Sequence, residues 1–171
     1  MVQDVNNRAV LRSSVDRAMR RRDAIGLAIL VALGLISSDA AWRLAGAASS
    51  GREVVRMAKK YKGAKYKAGG ASPKGFDCSG FTWYVYKKAT GKDISRGVEE
   101  QWKFGRSVGR GKWRPGDLVF FENTFERGLS HVGIYIRGDD FIHAENEKTG
   151  VVISSLDSDY YSKHYAGARR L

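Results

Sequence analysis

The sequence predicts an α+β fold, with N-terminal helices packed on a central antiparallel β-sheet. Helical periodicity comes first in the chain and short strand-type runs come after it. The 171 residues are about one domain's worth, and 43% hydrophobic content suits a globular core. A net charge of +12 favours polyanionic surroundings: nucleic acid, anionic lipid or an acidic cell wall.

Two parts are expected: a leader over 1–47 and a folded domain over 48–171. In the leader, Arg20-Arg21-Arg22 precedes an apolar run from Ala24 to Ile36, and small residues follow. That layout predicts a secretory signal peptide with its apolar core at 24–36, cleaved after Ala40 or Ala47. Thirteen apolar residues are too few to span a bilayer core of about 30 Å, so no stable membrane span is expected. Residues 1–18 mix Asp4 and Asp16 with Arg8, Arg12 and Arg17 and are expected to play no part in the fold. The small residues from Ala47 to Gly51 read as a short linker.

Within the domain, Val54, Met57, Ala58 and Tyr61 fall on one side of a helix over Glu53–Tyr61. A glycine-containing loop through Gly63, Gly69 and Gly70 ends it. Asp77 stands where an N-cap belongs, ahead of an apolar stripe of Phe81, Tyr84 and Val85. Lys87, Lys88 and Gly91 mark the far end of that second helix. A short helical piece is expected over Asp93–Trp102, then a basic, glycine-rich stretch over Arg106–Trp113. Pro115-Gly116-Asp117 is a turn. Strands follow at Leu118–Phe121, His131–Ile136, Phe141–Ala144 and Val151–Ile153.

Cys78, the only cysteine, falls in the first turn of the second helix. Unpaired amides and the positive end of the helix dipole there favour a thiolate. The neighbouring Asp77 charge opposes it, so a partner base is required. An exported chain with one unpaired cysteine carries either a reactive thiol or an intermolecular bridge. Of the three histidines, His131 and His143 lie in neighbouring strands downstream of the cysteine. A thiol nucleophile needs an imidazole to hold the thiolate and protonate the leaving amine, and that imidazole needs an orienting group. Cys78 and the two strand histidines can supply all three parts; His164, in a tyrosine-rich basic tail, reads as structural. A regular four-residue hairpin with Ile136 opposite Phe141 would turn the two imidazoles to opposite faces. A shared site therefore requires a bulge, an odd-length turn, or His131 standing just before regular pairing starts, and Gly138 is available for a left-handed bulge position.

From about residue 52 onward the chain resembles the NlpC family of cell-wall cysteine peptidases. The resemblance is carried by Tyr66 with Gly69-Gly70, Phe76-Asp77-Cys78-Ser79-Gly80-Phe81, Arg96 with Glu100-Gln101, and Pro115-Gly116-Asp117-Leu118. It continues through Ser130-His131-Val132-Gly133, Phe141-Ile142-His143-Ala144 and Arg169-Arg170. It implies a compact papain-like domain with Cys78 as nucleophile, His131 as general base and acid, and His143 as the orienting third member. It also implies that Tyr66 supports the oxyanion and that Asp77, Ser79 and Arg96 line the substrate site. Where the family has Pro-Arg and two small hydroxyl residues, this chain reads Ser95-Arg96-Gly97-Val98.

The reading is a secreted peptidoglycan hydrolase of the cell envelope that cuts an amide of the stem peptide. Its bond is of the D-glutamyl-diaminopimelate or D-glutamyl-lysine type, or a cross-link. Stem peptides are the expected partner, with anionic wall polymers held by the basic surface. The enzyme is expected to act as a monomer without metal or cofactor. The alternatives are a non-catalytic wall-binding module with an incidental thiol and a nucleic-acid binder. The latter is suggested by charge alone and lacks a reader motif.

Overall fold

The structure is a computed structural model that describes residues 37–171 together with Ile25, Ile29 and Gly34. The expected signal peptide, as a segment, lies outside the described residues. The chain divides into two compact units, the second being Ala48–Leu171. No helix among the described residues is long and apolar enough to cross a membrane.

Helix α1 runs Ser38–Lys59, so the expected linker at Ala47–Gly51 is helical. Alanine and serine cost a helix little, and nothing in the run forces a break. A small hairpin follows, β1 (Ala71–Ser72) with β2 (Gly75–Phe76), and leads directly into α2 (Cys78–Thr90). Asp77 caps α2 as its sequence position predicts, accepting from the Gly80 amide at 2.6 Å. Gly91 ends the helix in the left-handed conformation, its amide donating to the Lys87 carbonyl. Helix α3 covers Val98–Lys103, not the longer Asp93–Trp102. Asp93 is occupied in accepting from Trp83 Nε1 at 2.9 Å, and Ser95 adopts a φ of 68°, incompatible with helix.

The sheet comprises β3 (Arg106–Val108), β4 (Leu118–Glu122), β5 (Leu129–Arg137), β6 (Asp140–Ala144), β7 (Val151–Ser155) and β8 (Tyr165–Arg170). A short helix, α4 (Asp159–His164), precedes β8. The strand order is β3-β8-β4-β5-β6-β7, antiparallel throughout. The four expected strands are present, each slightly longer at one or both ends. Strands β3 and β8 form where a basic stretch and a basic tail stood in the sequence.

Alternation along the strands makes two apolar layers. Phe120, Val132, Ile134 and Ile142 form one core with Val54 and Ala58 of α1 and Phe81 and Val85 of α2. Val119, Phe121, Tyr135 and Phe141 form the other with Leu156 and Tyr161. The β5–β6 hairpin is irregular as the shared site requires. Ile134 pairs with Ile142 and Tyr135 with Phe141, then Arg137 with Asp140, which leaves Ile136 as the extra residue. Gly138 closes the turn at a φ of 57°.

One ion pair ties the end of the chain to the start of the sheet. Arg170 grips Asp117 with Nε to Oδ1 at 2.7 Å and Nη2 to Oδ2 at 2.5 Å. The Asp117 side chain is 3% exposed and also accepts from the Arg114 amide. The Tyr86 hydroxyl donates to the adjacent Gly116 carbonyl and so fastens α2 to the same turn. Removing one partner would strand a buried charge. Arg170→Ala is therefore expected to cost roughly 3 kcal/mol in denaturant unfolding; a loss below about 1 kcal/mol would show that the pair contributes little.

Candidate active site

Cys78 opens α2 and is 5% exposed. Its sulfur lies within hydrogen-bonding reach of the backbone amides of Ser79, Val132 and Cys78 itself. Val132 directly follows His131, so the helix start meets β5 at the residue after that histidine. Burial first, and the Asp77 charge second, push the Cys78 thiol up to about 12 against the pull of those amides. The resting site therefore holds a thiol. The sequence weighed the helix dipole against Asp77; burial, which it could not show, decides the outcome.

His131 is 4% exposed, and burial depresses its imidazole to about 4. It is neutral at physiological pH, as a general base must be. Its Nε2 lies 2.7 Å from Nδ1 of His143. His143 is fully buried, and burial and then the His131 charge lower its proton affinity well below the ordinary value. The bulge at Ile136 makes the contact possible. It sets His143 opposite Gly133, two residues along the strand from His131, so both imidazoles stand on one face. Gly133 is needed there, because a Cβ would come within 2.6 Å of the Phe141 ring and 3.1 Å of His143 Cβ. The Phe141 ring stacks on His143 with centroids 4.6 Å apart and fixes its plane.

Of the remaining expected site residues, Asp77 and Ser79 flank Cys78 in the chain, and Tyr66 and Arg96 are tied to the segment that precedes α2. Tyr66 is held by a bridge to Phe76 and is half-buried. Burial, then the charges of Cys78 and Asp77, raise its phenol. The Ser79 hydroxyl donates to Asp77 Oδ1 at 3.3 Å. Arg96 donates to the Gly69 carbonyl at 2.8 Å and lies over the Trp83 ring. His164 is outside the cluster; its Nδ1 lies 2.8 Å from the Glu122 carbonyl, a structural role. No group of three or more His, Cys, Asp or Glu among the described residues could hold a metal. A cleft of about 440 Å³ opens beside His131, lined by Phe125, Glu145, Asn146, Tyr160 and Tyr161.

Two contributors were not assigned roles from the sequence. Gln101 is fully buried and braces the first turn of α2, donating to the Ser79 and Ser95 carbonyls at 2.9 Å each. Its own carbonyl accepts from Thr82 Oγ1 at 2.7 Å. Ser154 of β7 lies 2.9 Å from His143 Nε2. The available signal was a hydroxyl closing an otherwise apolar strand, which is a weak one.

The NlpC/P60 family model matches residues 63–170. The chain belongs to the NlpC/P60 family. It is 43% identical over 118 residues to a gamma-DL-glutamyl hydrolase of Bacillus subtilis, covering 68% of this chain and 28% of that protein. It is 42% identical over 111 residues to the Escherichia coli murein DD-endopeptidase MepS/murein LD-carboxypeptidase, covering 65% and 57% respectively. The chain thus spans between about a quarter and just over half of these curated relatives. Among solved structures, the NlpC/p60 domain of the peptidoglycan hydrolase SagA matches with a TM-score of 0.63 and 35% identity. That match covers 71% of this chain and 98% of that one. An NlpC/P60 family protein from Bacillus cereus matches with a TM-score of 0.66 and 35% identity, covering 70% and 39%.

Burial of neutral imidazoles makes stability depend on pH. Between about 4 and the ordinary value of 6.5, the unfolded chain protonates His131 and the folded chain does not. The His131 contribution is complete above 6.5 and lost as pH falls toward 4, and His143 acts in the same direction. The urea midpoint is expected to fall continuously from pH 7 to pH 4.5; a midpoint constant across that window would contradict neutral burial.

Proposed function

We propose that the chain is a cysteine endopeptidase of peptidoglycan. The observation that carries this is a buried thiol at a helix start whose sulfur meets the amide of Val132, the residue after His131, together with the neutral His131 imidazole 2.7 Å from a second imidazole. With His131 Nε2 engaged by His143, Nδ1 is the nitrogen left to serve the sulfur.

The Cys78 proton passes to His131 as the sulfur attacks the scissile carbonyl carbon, and the carbonyl π-electrons move onto oxygen. Because the thiol is protonated at rest, transfer and attack are linked, which avoids maintaining a buried charge pair before substrate arrives. The backbone amide of Cys78 and the Tyr66 hydroxyl receive the oxyanion in this mechanism. Collapse breaks the C–N bond, and His131 gives its proton to the leaving amine. A water then loses a proton to His131 and attacks the thioester, releasing a carboxylic acid and restoring the thiol. His143 keeps His131 oriented through both steps. Asp77, Ser79 and Arg96 surround the acyl side of the substrate.

The substrate is the stem peptide, cut at a D-glutamyl-diaminopimelate or D-glutamyl-lysine bond or at a cross-link. The relatives fall on both sides of this choice by name: one is a gamma-DL-glutamyl hydrolase and another a murein DD-endopeptidase. Residues 1–47 act as the export leader of a domain over 48–171, and the net positive charge that this domain retains keeps the enzyme near anionic wall polymers as a monomer.

Digestion of purified walls containing diaminopimelate or lysine, with fragments identified by mass, tests this reading. Released stem-peptide fragments are expected from one chemistry or both. Cys78→Ala and His131→Ala should each retain less than about a hundredth of the activity, with the fold intact, and His143→Ala somewhat more. Wall binding without release of any fragment would instead make the chain a binding module.

A further inference from the structure

The contact between His131 and His143 does not end the polar network. His143 Nε2 lies 2.9 Å from Ser154 Oγ, and the Ser154 hydroxyl is within hydrogen-bonding reach of the Tyr161 phenol. Tyr161 in turn donates to Glu145 Oε1 at 3.0 Å. The second Glu145 oxygen accepts from Thr149 Oγ1 at 2.6 Å, so the carboxylate is held on both sides. These side chains come from four elements: β5, β6 with its C-terminal end, β7 and α4.

We propose that Ser154, Tyr161 and Glu145 are positioning residues that fix which nitrogen of His131 carries its proton. A carboxylate only accepts hydrogen bonds, so Tyr161 must donate to Glu145. The Tyr161 oxygen then has only lone pairs to offer Ser154, so Ser154 donates to it. The Ser154 proton is thereby committed, and the Ser154 oxygen accepts from His143 Nε2–H. His143 Nδ1 is left with a lone pair, which accepts from His131 Nε2–H. His131 Nδ1 is the atom that emerges unprotonated. Each hydrogen bond has one direction because the last acceptor cannot donate, and the result is the tautomer a base toward Cys78 requires.

The packing is consistent with a fixed chain. The Tyr161 ring meets His143 edge-on at 5.3 Å and Phe141 at 4.9 Å, so the phenol cannot swing away without opening the core. Ser154 pairs across the ladder with Phe141, diagonal to His143. A serine used only for strand formation has no need of this register.

The inference rests on the reading of His131 as the base, but its first test needs no substrate. Imidazole ¹⁵N shifts of the labelled protein are expected to show His131 and His143 both protonated at Nε2 and unprotonated at Nδ1. In Ser154→Ala and Tyr161→Phe, His143 should become a mixture of tautomers, since the direction is no longer imposed. For Ser154→Ala, kcat should fall roughly tenfold to a hundredfold with KM little changed. Ser154→Thr, which keeps the hydroxyl, should restore most of it. His143 protonated at Nδ1 in the unsubstituted protein would overturn the proposal. So would tautomers and kcat left unchanged by both variants. The expected tautomers in a protein that digests no wall would instead count against the endopeptidase reading alone.

Discussion

The site depends on one extra residue in β5. Strand side chains alternate between faces, so the relation between His131 and His143 is decided by whether the hairpin register is even or odd. Ile136 bulges out, and the pairing below it shifts by one. With regular pairing His143 would oppose Ile134, within the layer beneath α2; with the bulge it opposes Gly133 and reaches His131 at 2.7 Å. Gly133 and the stacked Phe141 are consequences of the same shift, because the imidazole needs an empty position opposite and a flat neighbour beside it.

Burying this much polar chemistry is tolerable because each group is uncharged at rest and hydrogen-bonded. The thiol is pushed up to about 12 and the His131 imidazole down to about 4, so the resting site carries no buried ion pair. The sheet stays in place around the site through fastenings at both ends. Gln101 holds the start of α2 against the Ser79 and Ser95 carbonyls, and Arg170 with Tyr86 holds the turn entering β4. The first fastening keeps Cys78 at the amide of Val132; the second keeps β4 in register beside β5.

Local signals were legible in the sequence and long-range ones were not. Asp77, Cys78 and Gly91 mark α2 because caps are written in adjacent residues. The four apolar strands could be read from their own composition. Strand β8 could not, since Tyr165–Arg170 looks like a basic tail until Arg169 is seen over Trp102 and Arg170 on Asp117. Helix α1 ran through small residues that read equally well as a linker. The triad candidates were visible as residue types, and even the need for a bulge could be deduced. Which residue bulges could not, because that is settled by packing on both faces of the sheet. Ser154 and Tyr161 were invisible for the same reason: a hydroxyl gains meaning only from the imidazole placed against it.

The proposed mechanism makes the Cys78 thiol nucleophilic only as substrate arrives. Its most direct measurement is the mass of the protein during turnover of purified stem peptide, quenched in acid at short times. An adduct equal to the acyl fragment is expected, carried on the peptide containing Cys78 as a thioester and absent from Cys78→Ala. Stem-peptide cleavage that proceeds with no adduct at any time, and that survives in Cys78→Ala, would contradict it.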